Sequence, residues 1–188
     1  MSATSLTNLA VLTVSNPAQA ARLLLAMRPG REVLWLGFSL AVVLSCVLQV
    51  GMAQLLPIPP DQPVPATEPV LLILARSAGA IMLSILAFLM FGRLLGGTGT
   101  FDEVFLLTVW LQYLQIAGLV LSLVSLLVMP LLIIVITLAT AVLSLYVTLH
   151  FLNEAHKFGS LWKSFGVILL SALVAVPFVL ALTPSGPV

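Results

Sequence analysis

Apolar residues run through this chain in long stretches, and polar residues punctuate them. Residues 33–56 form one run, and residues 70–95 form a second, interrupted only by Arg76 and Arg93. Residues 104–152 carry no formal charge over about 49 positions. A single helix of that length would reach roughly 73 Å, more than twice the thickness of a bilayer's hydrocarbon core. The stretch must fold back, and Pro130 is the natural break, because proline suits the first turn of a helix and not its interior. Residues 161–182 make the last run. The pattern predicts an all-α, polytopic membrane protein. Its bundle of five transmembrane helices is expected at approximately 33–56, 70–95, 103–128, 130–152 and 161–182, within a domain of residues 31–183, and an external tail follows at 184–188.

Ahead of the first run, residues 16–30 read as an N-terminal interfacial amphipathic helix. Asn16 can cap it, Pro17 takes its first position, and Gln19 completes a capping-box spacing. Ala20, Leu23, Leu24 and Met27 share one face, Arg22 lies elsewhere, and Pro29-Gly30 ends the helix. Residues 1–15 are rich in Ser and Thr, mildly apolar, and expected to form a flexible N-terminus. The segment "PIPPDQPVPATEP", residues 57–69, holds six of the twelve prolines and reads as a stiff, extended connector.

Composition settles the solvent. Of 188 residues 61% are hydrophobic and 7% charged, against about 25% charged in soluble domains. A net charge of +1 gives no steering toward nucleic acid. The single cysteine, Cys46, excludes an intrachain disulfide. The basic residues set the orientation. Arg22, Arg28 and Arg31 precede the first span, Arg93 lies between the second and third, and Lys157 and Lys163 lie between the fourth and fifth. Asp61 and Glu68 lie on the opposite side. The positive-inside rule then places the N-terminus in the cytoplasm and the C-terminus outside. Trp35 and Trp162 fall at cytoplasmic span ends, as interfacial anchors do.

The stretch "GRLLGGTGTFDEVFLL", residues 92–107, invites a phosphate-loop reading. Gly92 and Gly97 have the Walker separation, but Thr98 stands where the lysine belongs. The dinucleotide pattern fails as well, since Asp102 occupies its third glycine position. Asp102 and Glu103 would repel phosphate, so no nucleotide is expected. A turn accounts for more. Gly96, Gly97 and Gly99 permit positive φ where the chain reverses. Thr100 and Glu103 have the spacing of a capping box for the third span, and Phe101 can dip back into the interface.

Gly96, Gly97, Gly99, Thr100 and Phe101, in the cytoplasmic loop between spans two and three, resemble the Gly-Gly-x-Gly-Ser/Thr-Phe motif of the Yip domain family, the Ypt/Rab-interacting membrane proteins and their bacterial relatives. "NPAQAARLLL" before span one, the five spans, and "NEAHKFGSLWKS" before the last span agree with it. The long cytoplasmic N-terminal region and the Asp-Leu-Tyr-Gly-Pro motif of eukaryotic members are absent. The chain looks more like a bacterial-type member, which implies the bacterial cytoplasmic membrane, no catalytic site and no cofactor.

Polar residues inside the spans need partners there. Thr108, Gln112, Gln115, Gly118, Ser122 and Ser125 form one stripe on span three. Thr137, Thr140, Ala141, Ser144 and Thr148 form another on span four. Facing seams of this kind either pack two helices closely or line a polar path. Arg76 sits roughly 10 Å below the outer surface. By the same counting, Gln112, Gln115 and Thr137, with Ser45 or Cys46, lie at a similar level. Two readings follow for Arg76: an intramembrane polar layer of Arg76, Gln112, Gln115 and Thr137, or a snorkelling side chain that reaches headgroups and Glu68.

In "HFLNEAHK", His150 and Glu154 share a helical face and His156 is near, which is too few ligands for a strong metal site. Cys46 has no basic neighbour in sequence to activate it. No Ser–His–Asp arrangement can be built, because Asp61 is expected outside while His150 and His156 are expected inside. The expectation is a non-catalytic membrane scaffold or adaptor, in contact with membrane lipids and with a membrane-protein partner or a second copy. The alternative is a permease or transport accessory subunit that uses the layer around Arg76.

Overall fold

The computed structural model describes residues 3–55 and 69–182; the proline-rich connector up to Glu68 and the tail at 184–188 lie outside them. Seven helices follow one another: α1 (Ala3–Ser15), α2 (Pro17–Met27), α3 (Arg31–Leu55), α4 (Val70–Leu94), α5 (Phe101–Val128), α6 (Leu132–His156) and α7 (Leu161–Leu182). The described residues contain no strand. By length and composition α3, α4, α5 and α6 can each cross a membrane, and α7 carries a shorter described apolar segment, Leu161–Pro177.

The long uncharged run breaks at proline. Pro130 lies in the turn between α5 and α6, where the Leu132 and Ile133 amides donate to the carbonyls of Met129 and Pro130. The antiparallel α5–α6 pair that results packs closely, because Gly118 lies against Thr140: a Cβ on this glycine would come within 2.5 Å of Thr140 Cγ2. α5 also packs on α3, and α7 closes against both α4 and α6. The helices α4, α5, α6 and α7 thus form a ring, with α3 laid on the α4–α5 side.

In lipid, helices cohere by close packing more than by exclusion of water. That packing is densest at one end, around Phe105, which is 1% exposed. Its ring lies 5.0 Å from that of Trp35, 5.6 Å from Phe38 and 5.4 Å from Phe101, in tilted geometries suited to aromatic quadrupoles. The α4–α5 and α6–α7 connections lie at this same end, together with α2 and every basic residue but Arg76. This is the basic end of the molecule.

Residues 3–15, expected to be flexible, form a helix. α1 holds its place through a distant partner: Trp110 Nε1 on α5 donates to Thr13 Oγ1 at 2.9 Å, and the Thr13 hydroxyl donates to the Leu9 carbonyl at 2.8 Å. Leu9 and Thr13 are buried, whereas Leu6, Val11 and Val14 face outward. α2 begins as its sequence predicts, with Asn16 Oδ1 accepting from the Gln19 amide at 3.1 Å and Pro17 at the first turn. Its packed face is Pro17, Ala20, Ala21 and Leu24. Leu23 and Met27, expected on the same face, point outward.

Candidate functional site: a glycine clamp and an intramembrane cavity

The glycine-rich connection between α4 and α5 holds the end of α6. Gly96 makes the turn, at φ +84°, a conformation that costs any residue with a Cβ. Gly97 and Gly99, expected to serve the same purpose, do not adopt positive φ. They are small because a ring lies against them. Cβ atoms placed on Gly97 and Gly99 would come within 2.6 and 2.7 Å of His156 Nδ1, and one on Gly92 would overlap Cε1 and Nε2 of the same ring. His156 is 1% exposed.

Hydrogen bonds fix the clamp. The Gly99 amide donates to His156 Nδ1 at 3.3 Å, and the Thr98 amide donates to the His156 carbonyl at 3.1 Å. An imidazole that accepts at Nδ1 carries its proton on Nε2. Nε2 is buried and has no hydrogen-bond partner among the described residues. Phe158 stacks on the opposite edge of the clamp, 5.2 Å from the His156 ring. On either side of it in the chain, Lys157 and Gly159 turn the backbone with φ of 54° and 64°, and Asn153 Oδ1 accepts from the Ser160 amide.

The start of α5 completes the connection. Thr100 Oγ1 accepts from the Glu103 amide at 3.4 Å, and Glu103 Oε2 accepts from the Thr100 amide at 2.8 Å, a reciprocal capping box. Phe101 turns back onto Phe105. Arg93 Nε donates to the Gly99 carbonyl at 3.4 Å. On the flank, Arg22 of α2 pairs with Glu154 of α6 at 2.8 Å. Because the Arg22 side chain is 60% exposed, this pair adds at most about 1 kcal/mol and chiefly sets register.

The residues of "HFLNEAHK" therefore part company. His156 enters the clamp, Glu154 pairs with Arg22, and His150 packs edge-on against Tyr146 at 4.8 Å. Among the described residues no three His, Cys, Asp or Glu side chains gather as metal ligands would.

Deeper in the ring, a cavity of about 280 Å³ lies between α4, α5, α6 and α7. Its polar lining is Ser84, Thr108, Gln112, Gln115 and Thr148. Gln112 Nε2 donates to Ser45 Oγ of α3 at 3.2 Å. The Ser84 and Thr148 hydroxyls donate to carbonyls one turn back, at 2.9 and 2.6 Å. Toward the basic end, buried Val104, Leu107, Phe151 and Leu152 close the ring above the clamp. All the polar groups of the cavity are neutral amides and hydroxyls, suited to hydrogen bonding and not to proton transfer.

Gln112 and Gln115 thus come together in one cavity. Arg76 is not among its lining residues, nor is Thr137, which faces outward. The reason is depth. Since Gly118 lies against Thr140, Thr137 falls beyond Gly118, roughly 9–13 Å from the level of the two glutamines. Counting from span ends placed them together because it assumed helices as long as the membrane is thick. α5 has 28 residues, or roughly 42 Å. Read from sequence, Ser45 stands out only by its depth and His156 only as a weak metal ligand, and the buried α7 residues Ser164 and Ser171 do not stand out at all. For α7 a signal existed, the seven-residue spacing of two small polar side chains.

An all-helical bundle with apolar spans, a glycine-rich connection and no extramembrane domain among the described residues defines an integral membrane protein of the polytopic class. The Yip1 domain family model matches residues 11–183. The chain belongs to the Yip1 domain family. No curated protein and no solved structure matches it.

Proposed function

We propose that this protein is a non-catalytic membrane scaffold or adaptor. It crosses the bacterial cytoplasmic membrane five times, with α7 as the fifth span, its basic end and N-terminus in the cytoplasm and its C-terminus outside. The observation that supports this is the construction of the basic end. The His156 clamp, the capping box and the Arg22–Glu154 pair tie α2, α4, α5 and α6 into one stiff face, on which Trp162 stands 82% exposed. A face ordered in advance spares a partner the entropy of ordering it. Along the membrane, α6 offers a nearly continuous apolar surface that includes Leu132, Ile134, Leu138 and Val142. It suits lipid, a membrane-protein partner or a second copy. Purification of the tagged chain in mild detergent should recover a stoichiometric membrane-protein companion, and Trp162→Ala should reduce its recovery. A homo-oligomer with no companion would overturn the adaptor reading.

The cavity favours a second reading, a permease or transport accessory subunit. Gln112→Cys and Gln115→Cys, each in a Cys46→Ser background, would label with a membrane-impermeant thiol reagent if the cavity is open to water. Protection at both positions would leave helix packing as the role of these glutamines.

A further inference from the structure

Two adjoining cavities at the basic end differ sharply in character. One, of about 300 Å³, is lined by Arg28, Thr100, Asp102 and Glu103. The other, of about 540 Å³, is an apolar groove between α1, α3 and α5, with Leu9, Val33, Gly37 and Val109 on its walls. They share Pro29, Leu34 and Leu106, so the polar cavity and the groove lie side by side.

The only polar side-chain atoms of the groove belong to Trp110 and Tyr113, and both are already engaged. Trp110 Nε1 donates to Thr13, and the Tyr113 hydroxyl donates to the Gly37 carbonyl at 2.8 Å. What remains is a slot for a hydrocarbon chain. Its length fits one leaflet: from Asp102 to Tyr113 α5 rises roughly 16 Å, half of a hydrocarbon core about 30 Å thick. The polar cavity presents opposite charges side by side. Arg28 has no ion-pair partner among the described residues. Asp102 Oδ2 lies 3.6 Å from Arg31, and Glu103 gives Oε2 to the capping box, which leaves one oxygen on each carboxylate. A purely anionic headgroup would find Arg28 but also two carboxylates. A group with a phosphate next to a primary ammonium satisfies both.

We propose that these cavities hold one phospholipid of the phosphatidylethanolamine type, its phosphate on Arg28, its ammonium between Asp102 and Glu103, and one acyl chain in the groove. The ammonium donates hydrogen bonds to carboxylate, which a quaternary choline cannot do. The inference requires that the chain span a membrane and does not depend on the scaffold reading, since lipid retention and partner recovery are measured separately.

The test is native mass spectrometry of the delipidated full-length protein, titrated with phosphatidylethanolamine, phosphatidylglycerol and phosphatidylcholine of identical acyl chains. One phosphatidylethanolamine should bind per chain, about tenfold more tightly than either of the others. Arg28→Asn and Asp102→Asn should each weaken it about tenfold, the loss of one charge-assisted hydrogen bond. Asn is tolerated at Arg28, whose φ is 40°, so circular dichroism and thermal midpoint should stay unchanged. Gly37→Leu, which fills the groove, should abolish retention of all three lipids. Equal binding of phosphatidylglycerol, or phosphatidylethanolamine binding unaltered in both charge variants, would reduce the site to ordinary boundary lipid and overturn the proposal.

Discussion

At the scale of single residues, the glycines of the α4–α5 connection serve two different physical ends. Gly96 bends the chain; Gly92, Gly97 and Gly99 make room for a ring that arrives from 57 or more positions away. Only the first role is visible in a local stretch of sequence, because close approach is a property of two segments. The role of His156 is hidden for the same reason: the glycines that enclose its imidazole are distant in sequence. The clamp makes a coupled prediction. Gly92→Ala forces the added methyl into the ring and should destabilise the protein by about 1–3 kcal/mol. In a His156→Ala background the same change should cost much less, so a double-mutant cycle by thermal unfolding in detergent should return a coupling energy above about 1 kcal/mol. Additive effects would mean that the ring and the glycine do not meet. Lys157 tests the turn that follows. It holds φ 54° at the end of α6, so Lys157→Gly should raise stability by up to about 1 kcal/mol, read as a higher thermal midpoint.

At the scale of elements, the apolar runs and the helices α3 to α7 coincide to within four residues at either end. This follows from the bilayer, which demands internally bonded helices wherever apolar sequence is long enough. α1 shows where that logic stops. Its 13 residues are too few to cross and carry no charge to mark a polar face. Its order comes from tertiary contacts, packing on α2 and α6 together with the Trp110–Thr13 bond. Trp110→Phe keeps the ring and removes the donor. Hydrogen exchange in α1 should then accelerate several-fold, while the amides of α5 stay protected. Unchanged protection of α1 would show that its packing on α2 and α6 suffices to anchor it. The intramembrane cavity was half legible for a related reason. A stripe on one helix can be counted from sequence, but relative depth between helices depends on their true lengths and offset, and this separates Thr137 from Gln112 and Gln115.

At the scale of the whole molecule, the distribution of charge and the number of crossings decide which side each end occupies. With an odd number of spans, a C-terminal alkaline phosphatase fusion should be active and a C-terminal green fluorescent protein fusion dark. The reverse pair would mean that α7 enters the membrane without crossing it. The two short helices carry a consequence of another kind. α1 and α2 extend roughly 20 and 17 Å, too little to cross, and both pack at the basic end. Their cross-section is therefore added to one leaflet, with no helix among the described residues to match it in the other. Such a body is a wedge, and a flat bilayer accommodates it only by crowding one monolayer and stretching its partner. Where membrane already bends, with the basic end on the convex side, the mismatch relaxes. Curvature alone, with no receptor, would then concentrate this protein where the membrane bulges toward the side that its basic end faces.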